Sequence, residues 1–218
     1  MKLKIHVNGM YGKQLLGFFI TAVFLSGCAT IQSPYKIIET QKEEIRILKE
    51  KLQQSEEEFE AARKKLMEEL SKQIEAGNVK IEKLRRGLVL TMLEEILFDS
   101  GKAEIKAEGG ETLIKVAKVL KEDCPNNNIS IEGHTDNVPI KYSGWKSNWE
   151  LSAARANSVL HFFIDKCGID PQMLNMAGFG EYRPAASNET EEGRQQNRRV
   201  EIVILPENIA RLETGISQ

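Results

Sequence analysis

Little in this chain of 218 residues points to an enzyme or a metalloprotein: it holds three histidines, three cysteines and two tryptophans. His6 falls in the leading segment, so the pair His134 and Asp136, spaced i, i+2, has no third ligand in view and reads as a hydrogen-bonded histidine at a strand end. No G-x-S-x-G, H-E-x-x-H or phosphate-cradling glycine loop occurs. That leaves no catalytic constellation and no call for a cofactor. Excess charge is also missing: the formal net charge is −2 and no segment interleaves aromatics with a basic patch, which excludes a generally basic nucleic-acid binder. The apolar run from Leu15 to Leu25 is too short for a comfortable membrane span.

That run follows Lys2, Lys4 and Lys13, and residues 1–27 therefore read as a signal peptide. Leu25-Ser-Gly-Cys28 resembles a bacterial lipobox, which makes Cys28 the expected lipidation site and 28–38 a lipidated linker. Ala29 rather than aspartate follows the cysteine, and in lipoprotein sorting this favours the outer membrane. Two or more acyl chains would hold the protein there stably. Cys124 and Cys167 are then the remaining thiols in an oxidising compartment. A bridge between them stays open, since it requires Cα atoms within about 7 Å.

Residues 39–86 carry 12 Glu against 12 Lys plus Arg and contain no proline. Ile38, Ile45, Leu52, Phe59 and Leu66 recur at seven-residue steps with Leu48 and Ala62 between them, which predicts a coiled-coil helix. Past Leu66 the steps to Leu70 and Ile74 shorten to four, a stutter, and the pattern then continues through Ile81, Leu84 and Leu88. Ser55 and Gln73 weaken the seam, so identical chains, another envelope protein or no partner at all remain open. Gly77-Asn78 is the expected bend.

The globular part is expected over 87–206, with 207–218 as a patternless tail. Strands are predicted at Leu88–Leu93, from Ile129 to the polar cluster ending at Asp136, at Leu174–Gly178 and at Val200–Leu205. Helices are predicted at about Glu108–Glu122 and from an Asn148 N-cap to about Lys166. Strands alternating with helices of this length imply an α/β (α+β) sandwich, a mixed four-stranded sheet with helices on one face. Asp136 would reach the loop facing the start of the second helix, and Arg155 lies two turns inside that helix. Such a pair suits a zwitterion: the carboxylate takes an ammonium, and the guanidinium offers a bidentate fork to a carboxylate.

Asn148, Leu151, Ser152, Arg155, Ala156, Val159 and Phe163 resemble the signature N-x-x-L-S-x-x-R-A-x-x-V-x-x-x-L of the OmpA-like C-terminal (OmpA/MotB/Pal) peptidoglycan-binding family, with Phe163 in place of the last Leu. Leu97–Lys102, Gly133–Asn137 and Gly193–Glu201 extend the likeness in family order over roughly 88–205. The resemblance implies binding of diaminopimelate in the peptidoglycan stem peptide, with Asp136 and Arg155 as charged anchors and Thr135 and Asn148 beside them. It also implies contacts from the Asp99, Ser100, Gly101 loop, in which Gly101 offers only its backbone, and places Leu151 at the site while it serves the core. Asn197, Arg198 and Arg199 match the family's ending, where an arginine is usually a structural ion-pair partner. The implied role is a non-enzymatic tether of outer membrane to wall. Asp136-Asn-Val-Pro-Ile140 with Ser147-Asn-Trp-Glu-Leu151 also resembles the MotB-like stator branch, but residues 15–27 lack the acidic residue that ion translocation requires. Wall hydrolysis would need paired carboxylates rather than Asp with Arg.

Overall fold

A computed structural model describes residues 34–141 and 143–206; the signal segment, Cys28, Ala29 and the tail from 207 lie outside the described residues. The chain falls into two compact units, 1–51 and 52–218. Helix α1 runs Pro34–Glu69 and a short α2 runs Ser71–Glu75. Gly77 then stops the helix with φ +75°, while the Gly77 amide donates to Ile74 O and the Asn78 amide to Gln73 O. These are the two bonds of a Schellman cap, for which glycine in the left-handed region is the usual residue.

The predicted coiled coil over 39–86 is corrected here in two ways. Val79–Leu84 is a strand, β1, paired antiparallel with β2 at Gly87–Leu93 across the Arg85-Arg86 turn, so Ile81 and Leu84 belong to a sheet and Arg86-Gly87 is not a helix end. Ile81 satisfies two patterns at once: it lies seven residues from Ile74, and it continues the two-residue alternation from Val79 that β2 selects through pairing. Secondly, Phe59, Ala62, Leu66 and Leu70 are at most 5% exposed and pack into the chain's own core beside Val79, Leu88 and Leu113. Each large side chain buried there contributes roughly 1.5–3 kcal/mol.

The remaining elements are α3 (Glu94–Leu97), α4 (Ala107–Asp123), β3 (Ile129–His134), α5 (Asn148–Asp165), β4 (Leu174–Gly178), α6 (Glu191–Asn197) and β5 (Arg199–Ile204). Among the described residues the sheet has five strands rather than four, in the order β1-β2-β5-β3-β4, with only β3 and β4 parallel. Leu88, Leu90 and Met92, then Ile202 and Ile204, then Ile129 and Ile131 form the apolar face beneath the helices. Helix α5 presses on β3 so closely that a Cβ at Gly133 would meet Ser152 O at 2.0 Å. This contact sets the height of α5, and hence of Arg155, above the strand ends. Cys124, buried, and Cys167 are free thiols.

Candidate functional site

A cavity of about 780 Å³ opens where the corner between β2 and α3, the end of β3, the first turns of α5 and the end of α6 converge. All eight ligand positions expected from the sequence line it: Asp99, Ser100, Gly101, Thr135, Asp136, Asn148, Leu151 and Arg155.

The start of α5 differs from expectation by one residue. Ser147 is the N-cap, its Oγ accepting from the Glu150 amide at 3.4 Å, and Asn148 is the first helical residue. The freed Asn148 side-chain amide instead braces the loop after β3, donating to Asp136 O (3.3 Å), Val138 O (3.1 Å) and Glu181 Oε2 (2.8 Å). Thr135 is held by its amide to Gly180 O and by its hydroxyl to Asp136 O, both at 2.9 Å.

Asp136 and Arg155 share the cavity, but each has its own counter-ion. Asp136 Oδ2 accepts from Arg198 Nη1 at 2.7 Å, and its Oδ1 accepts from the Val138 amide at 3.1 Å. Arg155, only 2% exposed, donates through Nη1 to Glu94 Oε2 and through Nε to Lys102 O at 3.0 Å, with its guanidinium carbon 5.4 Å from the Phe98 ring centroid. Among the described residues its Nη2 has no partner. The fork expected of Arg155 is therefore half used, and one donor remains. Burial lowers the Arg155 pKa from its ordinary value, against the pull of Glu94. Burial likewise raises the Glu94 carboxyl, although Arg155 and Arg198 oppose it. Arg198 is held up by Asp136 and Glu191, which outweigh its desolvation.

On the other lip, Asp99 is exposed and pairs with Lys102 at 3.0 Å, which holds its carboxyl below the ordinary value. Gly101 O already accepts from Trp145 Nε1 at 2.9 Å.

Glu94 and Phe98 escaped the sequence reading. The available signal was an acidic pair, Glu94-Glu95, directly after a buried apolar strand. The Asn197, Arg198, Arg199 run divides three ways. Asn197 accepts from the Ala185 and Ala186 amides (2.7 and 2.9 Å), Arg198 enters the cavity wall, and Arg199 turns to the opposite face of the sheet. There it donates to Glu201 Oε1 at 2.6 Å, while Arg86 bonds both Glu132 and Glu201. Between them lies His134, 2% exposed. Its expected hydrogen bond is absent among the described residues: neither ring nitrogen has a partner there, and the ring stacks on Phe179 at 5.3 Å. Burial and the nearby Arg199 push its pKa down to about 3. Donor atoms of Glu132, His134 and Glu201 lie within 4.8 Å of one another, but two guanidiniums already neutralise the two carboxylates. That arrangement suits an ion-pair cluster better than a cation.

The sequence profile of the OmpA family matches residues 97–198, from beside Phe98 to Arg198. Motility protein B of Bacillus subtilis is 45% identical over 124 residues, 57% of this chain and 47% of that protein. The Escherichia coli protein named probable lipoprotein YiaD is 40% identical over 119 residues, 55% of this chain and 52% of that one. This chain thus spans about half the length of these curated relatives. A solved structure, the cell wall anchor of the T6SS from Pseudomonas aeruginosa, superposes with a TM-score of 0.60 at 33% identity, over 66% of this chain and 99% of that one. With the motifs in order, the same sheet and helices, and a solved relative covered almost end to end, this chain belongs to the OmpA family.

Proposed function

We propose that the domain over 52–206 binds peptidoglycan non-covalently by recognising the zwitterionic centre of diaminopimelate in the stem peptide. The observation that carries this reading is that Arg155, whose buried Nη2 finds no partner among the described residues, and Asp136 line one cavity. A buried donor without an acceptor costs roughly 1–3 kcal/mol, and a ligand carboxylate relieves that cost. Asp136 keeps lone pairs beyond those used by Arg198 and Val138 and takes the ammonium of the same centre. The positive end of α5 adds favourable potential for the anion. The first two turns of α5 and the loops around them do all the work, and no bond is made or broken.

The leading segment completes the reading. Cys28 carries the lipid, the outer membrane holds the lipid, and the domain holds the wall, so the protein tethers one to the other from the periplasmic side. A MotB-like stator anchor is the second reading, favoured by 45% identity to motility protein B. Palmitate labelling separates the two: Cys28→Ala abolishes labelling and frees the chain from the membrane pellet in a lipoprotein, and changes neither in a stator subunit.

The site itself is tested by pull-down of the full chain on purified diaminopimelate-type sacculi. Asp136→Asn and Arg155→Lys are each expected to weaken binding about tenfold or more, since each loses a charge-assisted bond or its geometry. Sacculi with lysine in place of diaminopimelate lack the second carboxylate and bind more weakly. Parent-like binding by both variants, with circular dichroism of an intact fold, overturns the site.

A further inference from the structure

We propose that α1 pairs in parallel and in register with α1 of a second copy of this chain over residues 34–55. The seam of α1 has two fates. Phe59, Ala62 and Leu66 are consumed by the chain's own core, whereas Ile38, Ile45 and Leu52, at the same heptad position as Phe59, are 48%, 52% and 58% exposed. Three evenly spaced aliphatic side chains left half in water on a charged helix call for a partner surface of the same period. A second α1 has that period by construction.

Charge selects the copy and its direction. With Ile38, Ile45 and Leu52 at position a, Glu44 and Lys51 fall at g and Lys49 and Glu56 at e. In a parallel coil each g faces the e of the following heptad on the partner. Glu44 then meets Lys49 of the second copy, and Lys51 meets its Glu56, with both pairs repeated by symmetry. Run antiparallel over the same residues, g faces g and e faces e. One such register sets Glu44 against Glu44 and Lys42 against Lys42, and the next sets Lys42 against Lys49, so neither matches every pair as the parallel coil does. Charges on the outer face satisfy one another within the helix, as in Arg46 with Glu43 (2.6 Å) and Glu50 (2.5 Å). Among the described residues Glu44, Lys49 and Lys51 enter no ion pair, and Glu56 lies 3.5 Å from Lys83 of its own chain. Ser55 at position d marks where the shared seam ends and each helix turns its next apolar residue, Phe59, to its own sheet.

The test uses full-length protein in its own envelope. Under a mild oxidant, Ile45→Cys and Leu52→Cys should each give a disulfide-linked product of twice the chain mass, above the background of the parent with its three native cysteines. Glu50→Cys, on the outer face, should stay at that background. Reversing the g charges (Glu44→Lys with Lys51→Glu) in the Leu52→Cys chain should reduce the product about tenfold, because four attractive contacts become repulsive. Co-expression with a Leu52→Cys chain carrying reversed e charges (Lys49→Glu with Glu56→Lys) should restore it, since every pair is then matched. The proposal is overturned if neither seam cysteine cross-links, if Glu50→Cys cross-links as well as they do, or if the charge-reversed chain still pairs with itself like the parent.

Discussion

Two clusters of guanidinium and carboxylate groups sit on this one sheet, and they differ in what they leave unsatisfied. Behind the sheet, Arg86 and Arg199 face Glu132 and Glu201, and the guanidiniums occupy the carboxylate oxygens they reach. At the strand ends, Arg155 and Arg198 face Glu94 and Asp136, an equal count of charges, but the Arg155 Nη2 has no partner among the described residues, and Arg155 lines a cavity. The first cluster can only hold the fold together. The second has a donor to offer. Charge composition does not distinguish the two clusters; a donor without a partner among the described residues, on a side chain that lines a cavity, does.

The comparison breaks first at Arg199. It is 6% exposed and also donates to Asn197 O and Arg183 O, so Arg199→Ala leaves the buried Glu201 short of its main partner. A loss of about 3–5 kcal/mol is expected in urea unfolding, while the folded fraction still binds sacculi. A parallel loss of binding in the folded fraction would join the two clusters into one functional unit.

His134 sharpens the same contrast through pH. Its pKa is lowered to about 3 in the folded protein, so over the range from about 6.5 down to 3 the unfolded chain takes up a proton that the folded one refuses. Stability therefore falls as pH falls, by about 1.4 kcal/mol per unit within that window. The Glu201 carboxyl, raised by burial but held below its ordinary value by Arg199, His134 and Arg86, adds a loss in the same direction at more acid pH. His134→Phe should flatten the upper part of the acid limb in denaturant titrations at about pH 4.5–6.5. An unchanged slope would place the titrating group elsewhere.

Arg155→Lys gives a smaller and opposite pattern. Sacculus binding should drop about tenfold, equivalent to about 1.4 kcal/mol, with unfolding changed by less than in Arg199→Ala. Smallest is Ser147→Ala, which removes the α5 cap at a cost of about 1 kcal/mol in thermal or urea unfolding. Because Asn148 keeps its bonds to the loop after β3, binding should stay within about twofold of the parent.

Much of the site was legible because its parts are local. The α5 pattern from Asn148 to Phe163, the turn at Asp99–Gly101 and the strand leading to Asp136 each follow from short-range periodicity or turn chemistry, and residues of all three line one cavity. Ser147 and Asn148 are both good caps, and only the backbone geometry chooses between them. Strand β1 was hidden because Ile81 fits a helical seam as well as a strand, and local pattern has no access to the open edge of β2.

The sequence by itself determined the order of motifs, the main helices and strands, the candidate ligands and the charge pattern along α1, because each rests on residues within a few turns or a few strand positions of one another. Only the tertiary structure decided which counter-ion each charged side chain takes. Arg155 meets Glu94 from 61 residues away, and Asp136 meets Arg198 from 62. Such partners depend on the register of β2, β3 and β5 and on how closely α5 sits over Gly133. The same long-range packing divided the seam of α1, since Phe59, Ala62 and Leu66 are spent on a core whose strands lie later in the chain.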